Sequence, residues 1–184
     1  MKFKKIETGI EGLYVIEPTV FNDERGYFME TYSKRDFEQL GIECEFVQDN
    51  QSQSVKGVLR GLHFQKEHPQ AKLVRVVNGR VWDVAVDLRK DSETFGEYYG
   101  VELSADNKKQ FFIPRGFAHG FVVLSDVAEF TYKCDDFYTP GDEGGVLWSD
   151  KDINIEWPID GLDLILSEKD KNWPSFNKVK EDLK

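Results

Sequence analysis

Between residues 71 and 88 the chain carries two runs of strand character separated by Asn78-Gly79. An Asn-Gly pair supplies the positive φ angles of a tight two-residue turn, so the stretch reads as a β-hairpin. In the second run, period-two alternation places Val81, Asp83, Ala85 and Asp87 on one face and Trp82, Val84, Val86 and Leu88 on the other. Further strands are expected at 13–16, 27–32, 98–103, 110–113, 120–124 and 128–134, most of them bounded by Gly, Pro, Asp or Asn. Residues 152–157 read as one more. One helix stands out at 34–40, with Ser33 able to cap it and Gly41 able to stop it. Residues 167–170 read as a short turn or helix, and the charged C-terminal residues as frayed. Many short strands with frequent turns imply a mainly β chain, a sandwich or jelly-roll barrel with a few short helices.

A chain of 184 residues is long enough to bury one sizeable core, and a single domain is expected. No apolar run is long enough to cross a bilayer. The opening residues lack the apolar core and cleavage site of a secretory signal. The two cysteines, Cys44 and Cys134, form no spacing pattern and read as reduced thiols of a cytoplasmic protein. A net charge of −10 argues against nucleic-acid binding, which needs a basic face to displace counterions. An anionic small ligand remains compatible with that charge if Arg and Lys cluster locally.

Two of the three histidines stand in matching surroundings. Arg60-Gly61-Leu62-His63 and Arg115-Gly116-Phe117-Ala118-His119 each place an imidazole shortly after an Arg-Gly turn, on an apolar strand-like run. Two equivalent strands pointing imidazoles into one space would be half of a metal site. The same stretches resemble the paired motifs of the cupin barrels. Gly57, His63 and Gly79 fit the first motif, but Gln65 replaces its second histidine and Lys72 stands where its glutamate would be. Pro114, Gly116 and His119 fit the second motif, with Val123 in place of asparagine. A lysine ammonium beside two imidazoles repels a metal and favours an anion, so neither a metal nor any other cofactor is expected.

A closer resemblance, running through nearly the whole chain, is to the dTDP-4-dehydrorhamnose 3,5-epimerase family. It is carried by Asp23-Glu24-Arg25-Gly26 with Phe28 and Glu30, by Gln48-Asp49-Asn50, by Arg60-Gly61-Leu62-His63 and by Lys72-Leu73-Val74. Asp83 with Asp87, the stretch from Ile113 to Phe121, Tyr132, Tyr138 with Pro140 and Glu143, Trp148, and Leu166-Ser167-Glu168-Lys169-Asp170 complete it. The resemblance implies a cupin-type jelly roll and a cofactor-free isomerase acting on a dTDP-linked 4-keto-6-deoxyhexose. Carbons 3 and 5 of that sugar both lie α to its carbonyl. Inverting them calls for a base on one face, an acid on the other and a positive group for the enolate.

His63 is the expected base, because a neutral imidazole can accept a proton. The resemblance pairs it with Asp170, and assigns Tyr132 as proton donor and Lys72 as enolate stabiliser. His119 is expected to help hold the same oxygen. Asp83 is open between orienting Lys72 or a water and being a satisfied buried carboxylate. Taken singly, each has a plainer reading: a core histidine, a solvated lysine, a packed aromatic. Arg25 and Arg60 have the guanidinium geometry for a diphosphate. Phe28 would stack on the base, Glu30, Gln48 and Asn50 would hydrogen-bond base or sugar, and Tyr138 would stack near both. Glu143 and Lys169 match further contact positions. The family also implies a homodimer whose N-terminal segment, with Arg25 and Glu30, crosses to the partner. The rivals are an enzyme inverting carbon 3 alone or using another nucleotide, a non-catalytic sugar-nucleotide binding barrel, and, third, a metal-dependent cupin oxygenase. Gln65 and Lys72 tell against the last.

Overall fold

The computed structural model describes residues 2–183. In chain order the elements are β1 (Phe3–Glu7), β2 (Tyr14–Pro18), β3 (Phe21–Asp23), β4 (Gly26–Phe28), α1 (Lys34–Gln39), β5 (Gln48–Val55), β6 (Leu59–Gln65) and β7 (Lys72–Asn78). They continue with β8 (Arg80–Asp87), β9 (Tyr98–Ser104), β10 (Gln110–Ile113), β11 (Phe117–Val123), β12 (Val127–Cys134), β13 (Glu143–Gly145), α2 (Glu168–Lys171) and α3 (Phe176–Asp182). A six-stranded sheet in the order β1-β2-β10-β7-β12-β5 faces a five-stranded sheet in the order β13-β6-β11-β8-β9, and every pairing within them is antiparallel. The mainly β jelly roll expected from the strand spacing is what forms, as two facing sheets rather than one continuous cylinder. Among the described residues no helix is long and apolar enough to cross a membrane.

The inner faces meet in a core that includes Val15, Val74, Val76, Val81, Ala85, Phe111, Phe121 and Phe130. The alternation read in β8 holds: Val81 and Ala85 join this core, while Val84, Val86 and Leu88 join a second cluster with Phe176 and Val179. Across the other sheet, Phe37 of α1 packs with Phe3, Ile16, Leu73 and Phe112.

Asn78-Gly79 departs from expectation, because β7 and β8 do not pair. They lie in different sheets, and the turn is the corner at which the chain crosses from one to the other. Both runs point apolar residues at the same core, which a corner between facing layers satisfies as well as a hairpin does. Gly79 has φ +75°, and a Cβ there would stand 2.0 Å from the Val127 carbonyl oxygen, so the corner has room only for glycine.

The strand expected at 27–32 is shorter. Only Gly26–Phe28 is extended, in a two-stranded ribbon with Phe21–Asp23 whose residues are all exposed. Beyond it Tyr32 turns in to meet Phe37 and Phe46 edge-on. Residues 152–157 form no strand either. The Asp150 carboxylate accepts the backbone N–H groups of Asp152, Ile153 and Phe176, which takes up donors a ladder would need. The C-terminal residues form α3, anchored by buried Phe176 and Val179. Helix α1 forms with Ser33 as its N-cap, and Gly41 beyond its end has φ +78°. Ser167 caps α2 in the same way.

Candidate active site

One end of the space between the sheets is polar, and strand register explains how. On β7 and β12, Val74 and Phe130 point into the core, so period-two alternation sends Lys72, Tyr132 and Cys134 to the same inner face. Tyr132 pairs with Asn50 and Cys134 with Gln48, which brings two amides of β5 alongside. Opposite, His63 of β6 and His119 of β11 are direct register partners. The two strands run unusually close here. A Cβ on Gly61 would lie 2.6 Å from the Gly120 Cα, and one on Gly120 would lie 2.7 Å from the Arg60 carbonyl oxygen.

Each imidazole has a carboxylate of its own. His63 Nε2 lies 2.5 Å from Asp170 Oδ1, across 107 residues of sequence. Asp170 is buried at the start of α2, where its Oδ2 accepts the Ser167 hydroxyl at 2.7 Å and its Oδ1 the Gly61 N–H at 3.4 Å. Burial alone would raise this carboxyl. The hydrogen bonds from His63, Ser167 and Gly61 outweigh it and hold the group down to about 2. His119 Nε2 lies 2.9 and 3.1 Å from the two oxygens of Asp83, which is fully buried. Burial pushes the Asp83 carboxyl up, opposed by His119 and by the Lys72 ammonium. Asp83 therefore holds His119 by hydrogen bonds, and its charge and that of the Lys72 ammonium favour one another.

Lys72 Nζ stands 5.9 Å from the centre of the Tyr132 ring. Burial lowers the Lys72 ammonium and raises the Tyr132 phenol, the latter opposed by the Arg60 charge. Burial likewise pushes the Cys134 thiol up to about 11, leaving it neutral beside Lys72 at physiological pH. Asn50 Nδ2 approaches Cys134 Sγ at 3.7 Å and Gln48 Nε2 donates to Asn50 Oδ1 at 3.0 Å. Gln48 Oε1 in turn accepts the Tyr138 N–H. At the rim the Tyr138 hydroxyl donates to Glu143 at 3.2 Å, and Lys169 pairs with the other oxygen of Glu143. Arg60 is exposed and pairs with no carboxylate among the described residues.

Three expected contacts are not brought to this group within the chain. Arg25 and Phe28 belong to the exposed ribbon and Glu30 follows it. Arg25 pairs with Asp23, two residues away, and Glu30 with Lys2 of the N-terminal segment. Gln65, at the position where the cupin motif has a histidine, is buried and used structurally. Its Nε2 donates to the His68 carbonyl at 2.6 Å and its Oε1 accepts the Thr139 N–H at 2.9 Å. Among the described residues no three of His, Cys, Asp and Glu converge as metal ligands.

Two residues near the histidines carry no role in the sequence reading. The spacing Ser167-x-x-Asp170 is a capping pattern and signals the first, whose hydroxyl steadies Asp170. Trp173, 5.9 Å from His63 between ring centres, has no such signal.

Comparison with known proteins shows the family. The family model described as dTDP-4-dehydrorhamnose 3,5-epimerase matches residues 7–178. The chain belongs to this family. It is 57% identical over 173 residues to the Methanothermobacter thermautotrophicus dTDP-4-dehydrorhamnose 3,5-epimerase, covering 94% of each chain. The crystal structure of the Elizabethkingia anophelis enzyme of the same name superposes with a TM-score of 0.93 at 59% identity, covering 97% of this chain and 98% of that one. A Legionella pneumophila dTDP-6-deoxy-D-glucose-3,5-epimerase, solved in complex with dTDP-4-keto-L-rhamnose, superposes with a TM-score of 0.93 at 48% identity, covering 98% and 96%.

The Asp170 hydrogen bonds also predict a stability signature. The folded carboxyl, held to about 2, lies below the ordinary range near 3.9, so its contribution is present above pH ~4 and is lost as pH falls towards 2. The contribution is on the order of 2 kcal/mol. Urea melts between pH 5 and pH 2 should show that loss, and Asp170→Asn should flatten this part of the curve.

Proposed function

We propose that this protein inverts carbons 3 and 5 of dTDP-4-dehydro-6-deoxy-D-glucose to give dTDP-4-dehydro-L-rhamnose, a step of dTDP-L-rhamnose biosynthesis. The observation that carries the reading is the His63–Asp170 pair, with His63 on one sheet and Asp170 on α2, opposite Tyr132 and Lys72 on the inner face of the other sheet. His63 takes the proton α to the carbonyl, and Asp170 holds the imidazole and stabilises the imidazolium that forms. The electron pair moves onto the carbonyl oxygen as an enolate, which the Lys72 ammonium and His119 stabilise. Tyr132, protonated at neutral pH, returns a proton to the opposite face of the same carbon. The imidazolium and phenolate then exchange protons with solvent, and the second carbon follows by the same steps.

The nucleotide is assigned to the polar rim. Arg60 meets the diphosphate, Gln48 and Asn50 bond the sugar or base, and Tyr138 stacks beside them with Glu143 and Lys169. The dTDP-sugar ligand of the Legionella relative supports this class of substrate. Arg25, Phe28 and Glu30 would act on a second copy, in a homodimer whose exposed ribbon reaches the neighbouring site. Phe21, Tyr27 and Phe28, all more than half exposed on that ribbon, favour such a contact. The chain works as one domain, and the free thiols Cys44 and Cys134 suit a cytoplasmic setting.

Incubation with dTDP-4-keto-6-deoxyglucose in deuterated water, followed by NMR, tests the reaction. Deuterium is expected at carbons 3 and 5. Label at carbon 3 alone would make the protein a mono-epimerase, and none at all in folded protein would sink the reading for this substrate.

A further inference from the structure

We infer that Trp173 is a positioning residue for the His63–Asp170 pair, a role that rests on His63 being the base. Its indole Nε1 donates to Asp170 Oδ1 at 3.4 Å, the same oxygen that meets His63 Nε2. Its ring stands edge-on to the His63 imidazole, with centres 5.9 Å apart and planes at 68°. The indole thus touches both members of the pair at once.

The surroundings are shaped to keep it there. Gly145 of β13 is the register partner of His63. A Cβ on Gly145 would come within 2.2 Å of the indole, so the missing side chain is what lets the ring lie against β13 beside His63. On another side the Lys169 ammonium stands 5.1 Å from the centre of the Trp173 ring, itself held by Glu143. Half-buried Trp173 also lines a cleft together with Phe64, Lys72 and Gly144. A half-exposed imidazole would otherwise share its carboxylate with water. The indole covers this hydrogen bond and gives Asp170 Oδ1 a fixed N–H donor. Each N–H donated to a carboxylate draws off part of its charge, so Trp173 moderates the pull of Asp170 on the His63 imidazolium while fixing the direction of that pull.

Trp173→Phe keeps an aromatic wall and removes only the donor. It is expected to lower kcat about tenfold, with KM for the dTDP-sugar close to that of the parent protein. With one donor fewer, the Asp170 carboxylate stabilises the imidazolium more strongly, so the acid limb of the pH–rate profile should move to higher pH. Gly145→Ala, which displaces the indole without altering it, should change kcat in the same direction. In a His63→Asn background, Trp173→Phe should have no further effect on kcat. Parental kcat and pH profile in Trp173→Phe, a rise in KM alone, or an undiminished effect in the His63→Asn background would each overturn the inference. NMR titration of the His63 imidazole reads the same shift without substrate. A parent protein that exchanges no deuterium would remove the epimerase reading, whereas an imidazole titration unmoved by Trp173→Phe would remove this one.

Discussion

Replacing His63 by Asn is expected to slow solvent exchange at carbons 3 and 5 by about 10²-fold or more, the usual scale for a positioned general base. The geometry makes the substitution a clean one. His63 Nε2 is committed to Asp170 at 2.5 Å, which leaves Nδ1 as the nitrogen able to receive a substrate proton. An asparagine is polar and occupies less space, so β6 and its pairing with β11 are retained. What disappears is the basic nitrogen. Binding of dTDP, which the proposed function assigns to Arg60, Gln48, Asn50 and Tyr138, should be unaffected when followed by calorimetry. Lost exchange with retained dTDP binding is the expected outcome. Near-parental exchange would show that another group takes the proton.

This assignment could be approached from the sequence only so far. The Arg-Gly context of His63 and His119 signals two equivalent strands, and these do lie side by side as register partners. The alternation in β8 places Asp83 inward, which is where it meets His119. The pairing of His63 with Asp170 has no local signal, since it spans 107 residues. It comes only through family resemblance. Strand β5, Gln48-Asp49-Asn50-Gln51-Ser52-Gln53-Ser54-Val55, lacks the apolar alternation of a half-buried strand. The reason lies in its inward positions, because those nearest Tyr132 and Cys134 are the amides of Asn50 and Gln48 rather than core residues. Asn78-Gly79 shows the converse. Its turn chemistry is legible, but whether the two strands pair or diverge depends on partners far along the chain: β12 and β10 for β7, β11 and β9 for β8.

The second large effect is expected at Lys72. Lys72→Met keeps much of the aliphatic stem and removes the charge that would meet the enolate, and exchange should fall by about 10²–10³-fold. The fold should survive, since Asp83 keeps its two contacts to His119 and its carboxyl is already pushed upward by burial. The pH profile makes the test specific. An ordinary lysine and an ordinary tyrosine lose their protons in nearly the same range, near 10. Burial here acts on the two with opposite sign, because it disfavours charge: the ammonium becomes the stronger acid and the phenol the weaker one. The first group to deprotonate on the basic side is therefore Lys72, while Tyr132 stays competent as a donor. In the parent protein the basic limb of kcat should fall below the ordinary lysine range. In Lys72→Met the residual rate should lack that limb and decline only where Tyr132 ionises, at higher pH. A basic limb that stays in place in Lys72→Met would assign it to another group, and exchange at near-parental rate would remove Lys72 from the enolate altogether.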